Sequence, residues 1–145
     1  MTFEEKDWED LRQRLIQMQN AVLEGFKSRP RSLDSDSRIA KTVAEDVIFQ
    51  IDLETEHLLL QWFESNWPTH FPVELVMEGL DHGTTFPLQT PIEETVLKMI
   101  IDPIDGTRMI MYDKRSAWCL AGLAPQKGRK TARVVDERWR AMHAG

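Results

Sequence analysis

The sequence is poor in several things that would each have named a class of function. It holds one cysteine, Cys119, in 145 residues, which excludes an internal disulfide and any cysteine-based zinc cluster. That cysteine lies in the apolar run Ala117-Trp118-Cys119-Leu120-Ala121, the setting of a buried structural thiol. Positive charge is not in surplus. Against 24 Asp and Glu stand 18 Lys and Arg, a net charge of −6, so the broad basic face of a general nucleic-acid binder is missing. No apolar stretch reaches the length of a membrane span, and residues 1–10 are acidic without a signal-peptide core. A cytoplasmic location, with no nucleic-acid or membrane partner, is the expectation that follows. A glycine-rich nucleotide loop and a nucleophilic serine elbow are both lacking. The four histidines, His57, His70, His82 and His143, include no pair at helix-face ligand spacing, which argues against zinc.

What is present suits one soluble domain with a real core: 41% of residues are apolar and 29% charged. Trp8, Leu11, Leu15, Met18 and Val22 recur at steps of three and four, which predicts an amphipathic helix over residues 4–26. Gly25 and Ser28-Arg29-Pro30-Arg31 end it. Residues 32–37 read as a polar loop, where Asp36 or Ser37 could cap a short helical piece through Ala44. A second helix is expected over 52–66, burying Leu59, Trp62 and Phe63. Asp52 would stand at or near its N-terminus, where unpaired N–H groups and the dipole favour a carboxylate. Val73-Glu74-Leu75-Val76-Met77 reads as a strand ending at Glu78-Gly79. Residues 80–94, with Gly83, Pro87 and Pro91, read as a long surface loop. Further strands are expected over 96–101 and 116–123. From Lys127 the composition turns basic, and a short basic helix is expected over 134–142. This gives a domain over 1–125 and a basic tail over 126–145.

The most informative stretch is Ile101-Asp102-Pro103-Ile104-Asp105-Gly106-Thr107. It sets two carboxylates three residues apart with a rigid proline between them, then a glycine and a hydroxyl. Hard cations such as Mg²⁺ take oxygen ligands and keep several waters, and two carboxylates and a carbonyl on one tight turn supply such oxygens. Because the apolar run Val96-Leu97-Lys98-Met99-Ile100-Ile101 leads in, the acidic turn should sit at the end of a buried strand. The heptapeptide resembles the signature of the inositol monophosphatase and fructose-1,6-bisphosphatase superfamily of metal-dependent phosphatases. That signature is Asp-Pro-(Ile/Leu)-Asp-Gly-Thr at a strand end, and Asp102 to Thr107 match it at every position.

The resemblance implies an α+β fold, two long helices packed on a mostly antiparallel sheet, as in the N-terminal half of the inositol monophosphatase-like fold. It implies a Mg²⁺ ion, for which Mn²⁺ could substitute, held by Glu78, Asp102, Asp105 and the carbonyl of Ile104. Glu78 would also orient the attacking water, although the family's Gly-Glu-Glu reads Met77-Glu78-Gly79 here. Asp46 and Asp52 look like an early family segment in which two aspartates six residues apart flank a short strand leading into a helix. By that likeness Asp52 would accept a hydrogen bond from Thr107, whose hydroxyl orients a water, while Gly106 and Thr107 bind phosphate. Arg108, Lys114 and Arg115 are further candidates for contact with substrate phosphate.

The implied reaction is hydrolysis of a phosphorylated small molecule, a sugar or inositol phosphate, without a phosphoenzyme. The resemblance covers residues 4–125, only the first half of a typical member. Two expectations follow. One is a Mg²⁺-dependent phosphatase completed by a homodimer or a second chain. The other is a non-catalytic, truncated or metal-binding interaction domain, with Trp118 and Met109 left exposed.

Overall fold

Helix α1 (Glu5–Lys27) is started by its own side chains. The backbone N–H of Glu4 donates to the Asp7 carboxylate at 2.8 Å, and Phe3 packs on Trp8 with ring centroids 5.0 Å apart. The first closes an orphan donor at the helix start, and the second staples the incoming chain to the first turn. Leu11, Leu15, Met18 and Val22 are buried along one face, as the periodicity requires. At the far end the Ser28 hydroxyl donates to the Gly25 carbonyl at 2.9 Å. The computed structural model describes residues 2–28, 40–77, 80–105, 118–128 and 140–143.

The second helix differs from the sequence expectation. α2 runs unbroken over Ala40–Asn66, about 40 Å at 1.5 Å per residue. A short helical piece through Ala44, a strand across 45–52 and a helix starting at Asp52 are all replaced by this one element. The reason is that residues 40–66 contain neither glycine nor proline, while Val47-Ile48-Phe49 oppose a helix by only a few tenths of a kcal/mol each. Ile51, Thr55, Leu59 and Phe63, four residues apart, form its buried stripe. The Thr55 hydroxyl is satisfied inside the helix by the Ile51 carbonyl at 2.7 Å. Capping candidates Asp36 and Ser37 lie outside the described residues. No described helix is long and apolar enough to cross a membrane.

The strands are β1 (Val73–Met77), β2 (Thr85–Phe86), β3 (Leu97–Asp105), β4 (Trp118–Pro125) and β5 (Arg140–His143). They form one sheet in the order β2-β1-β3-β4-β5. Only β1 and β3 pair in parallel, and the other three pairings are antiparallel. The architecture is thus the expected α+β one, with two long helices on a mostly antiparallel sheet. The stretch expected as a bare loop contains β2 and a 3₁₀ turn over Ile92–Glu94. The expected basic helix is also corrected, since residues 140–143 form β5 against β4. An edge of unpaired backbone groups on β4 outweighs the weak helical preference of a short basic segment.

Alternation fixes the two faces of the sheet. Val73, Leu75 and Met77 of β1, Leu97, Met99 and Ile101 of β3, and Cys119, Ala121 and Leu123 of β4 join the helices in one core. On the opposite face a charged clasp closes the end where β1 and β3 begin. Lys98 Nζ lies 3.6 Å from Glu74 Oε2, both side chains nearly buried. Gln126 donates to the same carboxylate oxygen at 2.6 Å and to the Thr95 hydroxyl at 3.0 Å. The Gly128 N–H donates back to Gln126 Oε1 at 2.9 Å, tying the chain after β4 to the sheet. Removing one partner of a buried ion pair strands the other, at a cost of about 3–5 kcal/mol, whereas an apolar replacement of both is often neutral. Glu74→Leu should therefore lower urea-unfolding stability by that amount, and adding Lys98→Met should restore most of it. Equal losses in the single and double variants would contradict the clasp.

Candidate metal and phosphate site

The parallel pairing of β1 and β3 builds the candidate site. Its register runs from Val73↔Leu97 to Met77↔Ile101, so both strands end on the same side of the sheet. The chain therefore leaves β1 at Met77 directly beside the residue preceding Asp102. Asp102 is exposed at that end and pairs with Leu120 of β4.

The acidic heptapeptide does not turn sharply there, as the sequence suggested. β3 continues through Pro103 and Ile104 to Asp105, which pairs with Trp118. From Asp102 to Asp105 the strand advances three residues while β4 advances two, Leu120 to Trp118, and the register shifts between them. This is a bulged strand end, which bends a strand and re-aims its side chains. Pro103 has no N–H to give a regular ladder, so proline fits such an irregularity better than a central strand position.

One residue that sequence reasoning passed over supports this bulge. Gln19 of α1 is fully buried, and its side-chain amide donates to the Cys119 carbonyl at 2.8 Å. That carbonyl lies between the two shifted pairs, and a buried backbone acceptor needs a partner. The signal was available: Gln19 is four residues after Leu15, on the apolar stripe, where a polar side chain calls for a buried partner.

Cys119 is buried, as expected. Burial pushes its thiol up to about 12, and the negative charge of Asp102 adds to the rise. The carboxylate of Asp102 is thus close enough for its field to reach the neighbouring strand. A thiol with so high a folded value is no nucleophile at neutral pH.

Asp52 is not at a helix start. It sits inside α2, exposed, so the capping role is excluded and the likeness of Asp46 and Asp52 to aspartates flanking a strand does not hold. Ile104 and Asp105 complete β3. Glu78, Gly106 and Thr107 lie outside the described residues, as do Arg108, Met109, Lys114 and Arg115. Among the described residues no three His, Cys, Asp or Glu side chains are grouped to hold a metal ion. The donors that do converge on one sheet end, a strand-end aspartate and a second aspartate three residues on, are hard oxygen groups of the kind Mg²⁺ and Mn²⁺ accept. His57 pairs with Gln61 along α2 at 3.1 Å, and His143 belongs to β5.

Gln19→Met should cost about 1–3 kcal/mol by leaving the Cys119 carbonyl unsatisfied. Urea unfolding measures it, and an unchanged midpoint would show the bond to be dispensable. The raised thiol has a signed consequence. Its contribution is whole below the unfolded value of about 8.5 and is lost as pH rises toward the folded value of about 12. Stability of the wild type relative to Cys119→Ala should therefore fall steadily above about pH 8.5; a difference that stays constant with pH would contradict it.

No protein-family model matches the chain, and no curated protein matches it in sequence. Solved structures do share its fold. Inositol monophosphatase-II from Staphylococcus aureus MSSA476 superposes with a TM-score of 0.51 at 15% identity, over 80% of this chain and 38% of that one. The extragenic suppressor protein suhB from Bartonella henselae matches with a TM-score of 0.45 at 16% identity, over 79% of this chain and 37% of that one. Inositol monophosphatase from Anabaena (Nostoc) sp. PCC 7120 gives 0.44 at 17% identity, over 79% and 38%. The fold is therefore that of part of an inositol monophosphatase, consistent with its N-terminal half. The chain spans under two fifths of the length of these structures.

Proposed function

We propose, from an inositol monophosphatase-like half-fold that carries that superfamily's acidic signature at a strand end, that the chain is a Mg²⁺-dependent phosphomonoester hydrolase. The observation that carries the reading is the parallel register of β1 and β3. It brings the chain end before Glu78 beside Asp102, and Asp105 follows on the same strand. In this reading Glu78, Asp102, Asp105 and the carbonyl of Ile104 hold the ion, and Mn²⁺ can replace Mg²⁺. The ion would supply a bound water of lowered pKa and a positive site for a phosphate oxygen.

The chain's own groups do the rest. Glu78 accepts a proton from the attacking water, and the Thr107 hydroxyl, donating to Asp52, orients that water. The backbone N–H groups of Gly106 and Thr107 hold the phosphate, glycine allowing its close approach. No covalent intermediate is required. The substrate is a phosphorylated small molecule such as a sugar or inositol phosphate, and the site is completed by a second copy or a second chain.

A second reading rests on one observation, that the chain spans only 38% of the length of the Staphylococcus structure. It is a non-catalytic domain on the same scaffold that binds metal or a partner without turnover. Hydrolysis of p-nitrophenyl phosphate with Mg²⁺, with EDTA, and with Asp105→Asn separates the two. The hydrolase reading expects activity that EDTA abolishes. It also expects Asp105→Asn to lower activity at least ~100-fold, since even residues outside the ligand set cost roughly 10–100-fold in metal sites. A folded protein that binds Mg²⁺ but turns nothing over supports the second reading and defeats the first.

A further inference from the structure

The sheet face away from the helices changes character along its length. Where β1 and β3 begin, the Glu74–Lys98 clasp covers it. Toward the acidic end it is apolar and open: Ile100 is 41% exposed and Trp118 43%, with Val76 and Leu120 half-buried beside them. Alternation along β4 puts Trp118 on the same face as Leu120, since Cys119 and Ala121 between and beyond them enter the core. Leu120 pairs with Asp102, and Trp118 pairs with Asp105. The largest side chain the protein leaves uncovered is thus the cross-strand partner of a candidate metal ligand. Directly paired residues lie within about 5 Å of one another at Cβ, so a group held at the acidic strand end has the indole next to it.

We infer that Trp118 is a specificity-determining residue whose indole stacks on a flat, apolar group of the substrate, so that the site favours aryl phosphomonoesters over small polyol phosphates. The inference rests on the hydrolase reading above and adds the class of leaving alcohol to it. The phosphate needs the strand-end donors, and the ring needs the apolar platform of Trp118, Leu120 and Ile100 continuous with them. A purely polyhydroxylated alcohol would gain little there, because its hydroxyls would be desolvated against indole and aliphatic surface without partners. An aryl group buries apolar area and stacks.

The test compares 1-naphthyl phosphate with glycerol 2-phosphate on the full chain in Mg²⁺, for the wild type, Trp118→Ala and Trp118→Phe. Stacking of one ring is expected to lower KM for the naphthyl ester about 5- to 100-fold relative to the glycerol ester. Trp118→Ala should remove that preference through KM with kcat little changed, and Trp118→Phe should restore much of it. Equal KM values for the two esters in the wild type, or a preference that survives Trp118→Ala, would overturn the inference while leaving the hydrolase intact. So would an effect of Trp118→Ala on oligomeric state alone, which would make the patch a protein contact. Absence of Mg²⁺-dependent turnover of both esters would defeat the hydrolase reading, and this inference with it.

Discussion

The parallel pairing of β1 with β3 is the constraint from which the rest of the arrangement follows. Parallel neighbours cannot be joined by a tight hairpin and need a long crossover. Here the crossover carries β2 on the outer edge of β1 and a 3₁₀ turn before β3. The benefit is that two strands end side by side. An antiparallel pair would send one end to the far side of the sheet, and acidic groups that follow each strand could not meet. The helices then bury one face of the sheet, so whatever chemistry the strand ends carry must face outward from the other.

That division assigns separate work to the two halves of the outer face. At one end charge is neutralised internally, with Glu74, Lys98 and Gln126 closing on each other and on Gly128. At the other, Asp102 is exposed beside apolar surface. The bulge between Asp102 and Asp105 concentrates the irregular backbone at this second end. Gln19 holds it from beneath, through the carbonyl of Cys119. A regular ladder would have needed an N–H at position 103, which proline cannot give. The sequence feature that suggested a metal turn is therefore also the feature that breaks the strand.

Much of the fold was legible. The stripe of α1, the five residues of β1 and the apolar lead into Asp102 all carry a strong period or a long apolar run, and the burial follows them closely. The misreadings share a cause. Val47-Ile48-Phe49 has strand-forming residues, but the absence of any breaker over 40–66 let the helix run through. β2 is two residues long and offers no period to read. β5 exists because β4 presents an edge, information held in another part of the chain. For the site, the residue types and the strand end were visible in the heptapeptide, while the partner of each strand and the support from Gln19 depended on tertiary pairing. Asp52 was misplaced for the same reason as α2: a helix start was assumed where the helix was already under way.

The account rests on hard oxygen donors gathering where β1 and β3 end. Anomalous X-ray diffraction from crystals soaked in Mn²⁺ tests this most directly. The account predicts a single strong peak at coordination distance, about 2.0–2.3 Å, from carboxylate oxygens of Glu78, Asp102 and Asp105. A peak held elsewhere, or a Glu78 carboxylate turned away from Asp102 with no peak between them, would contradict it.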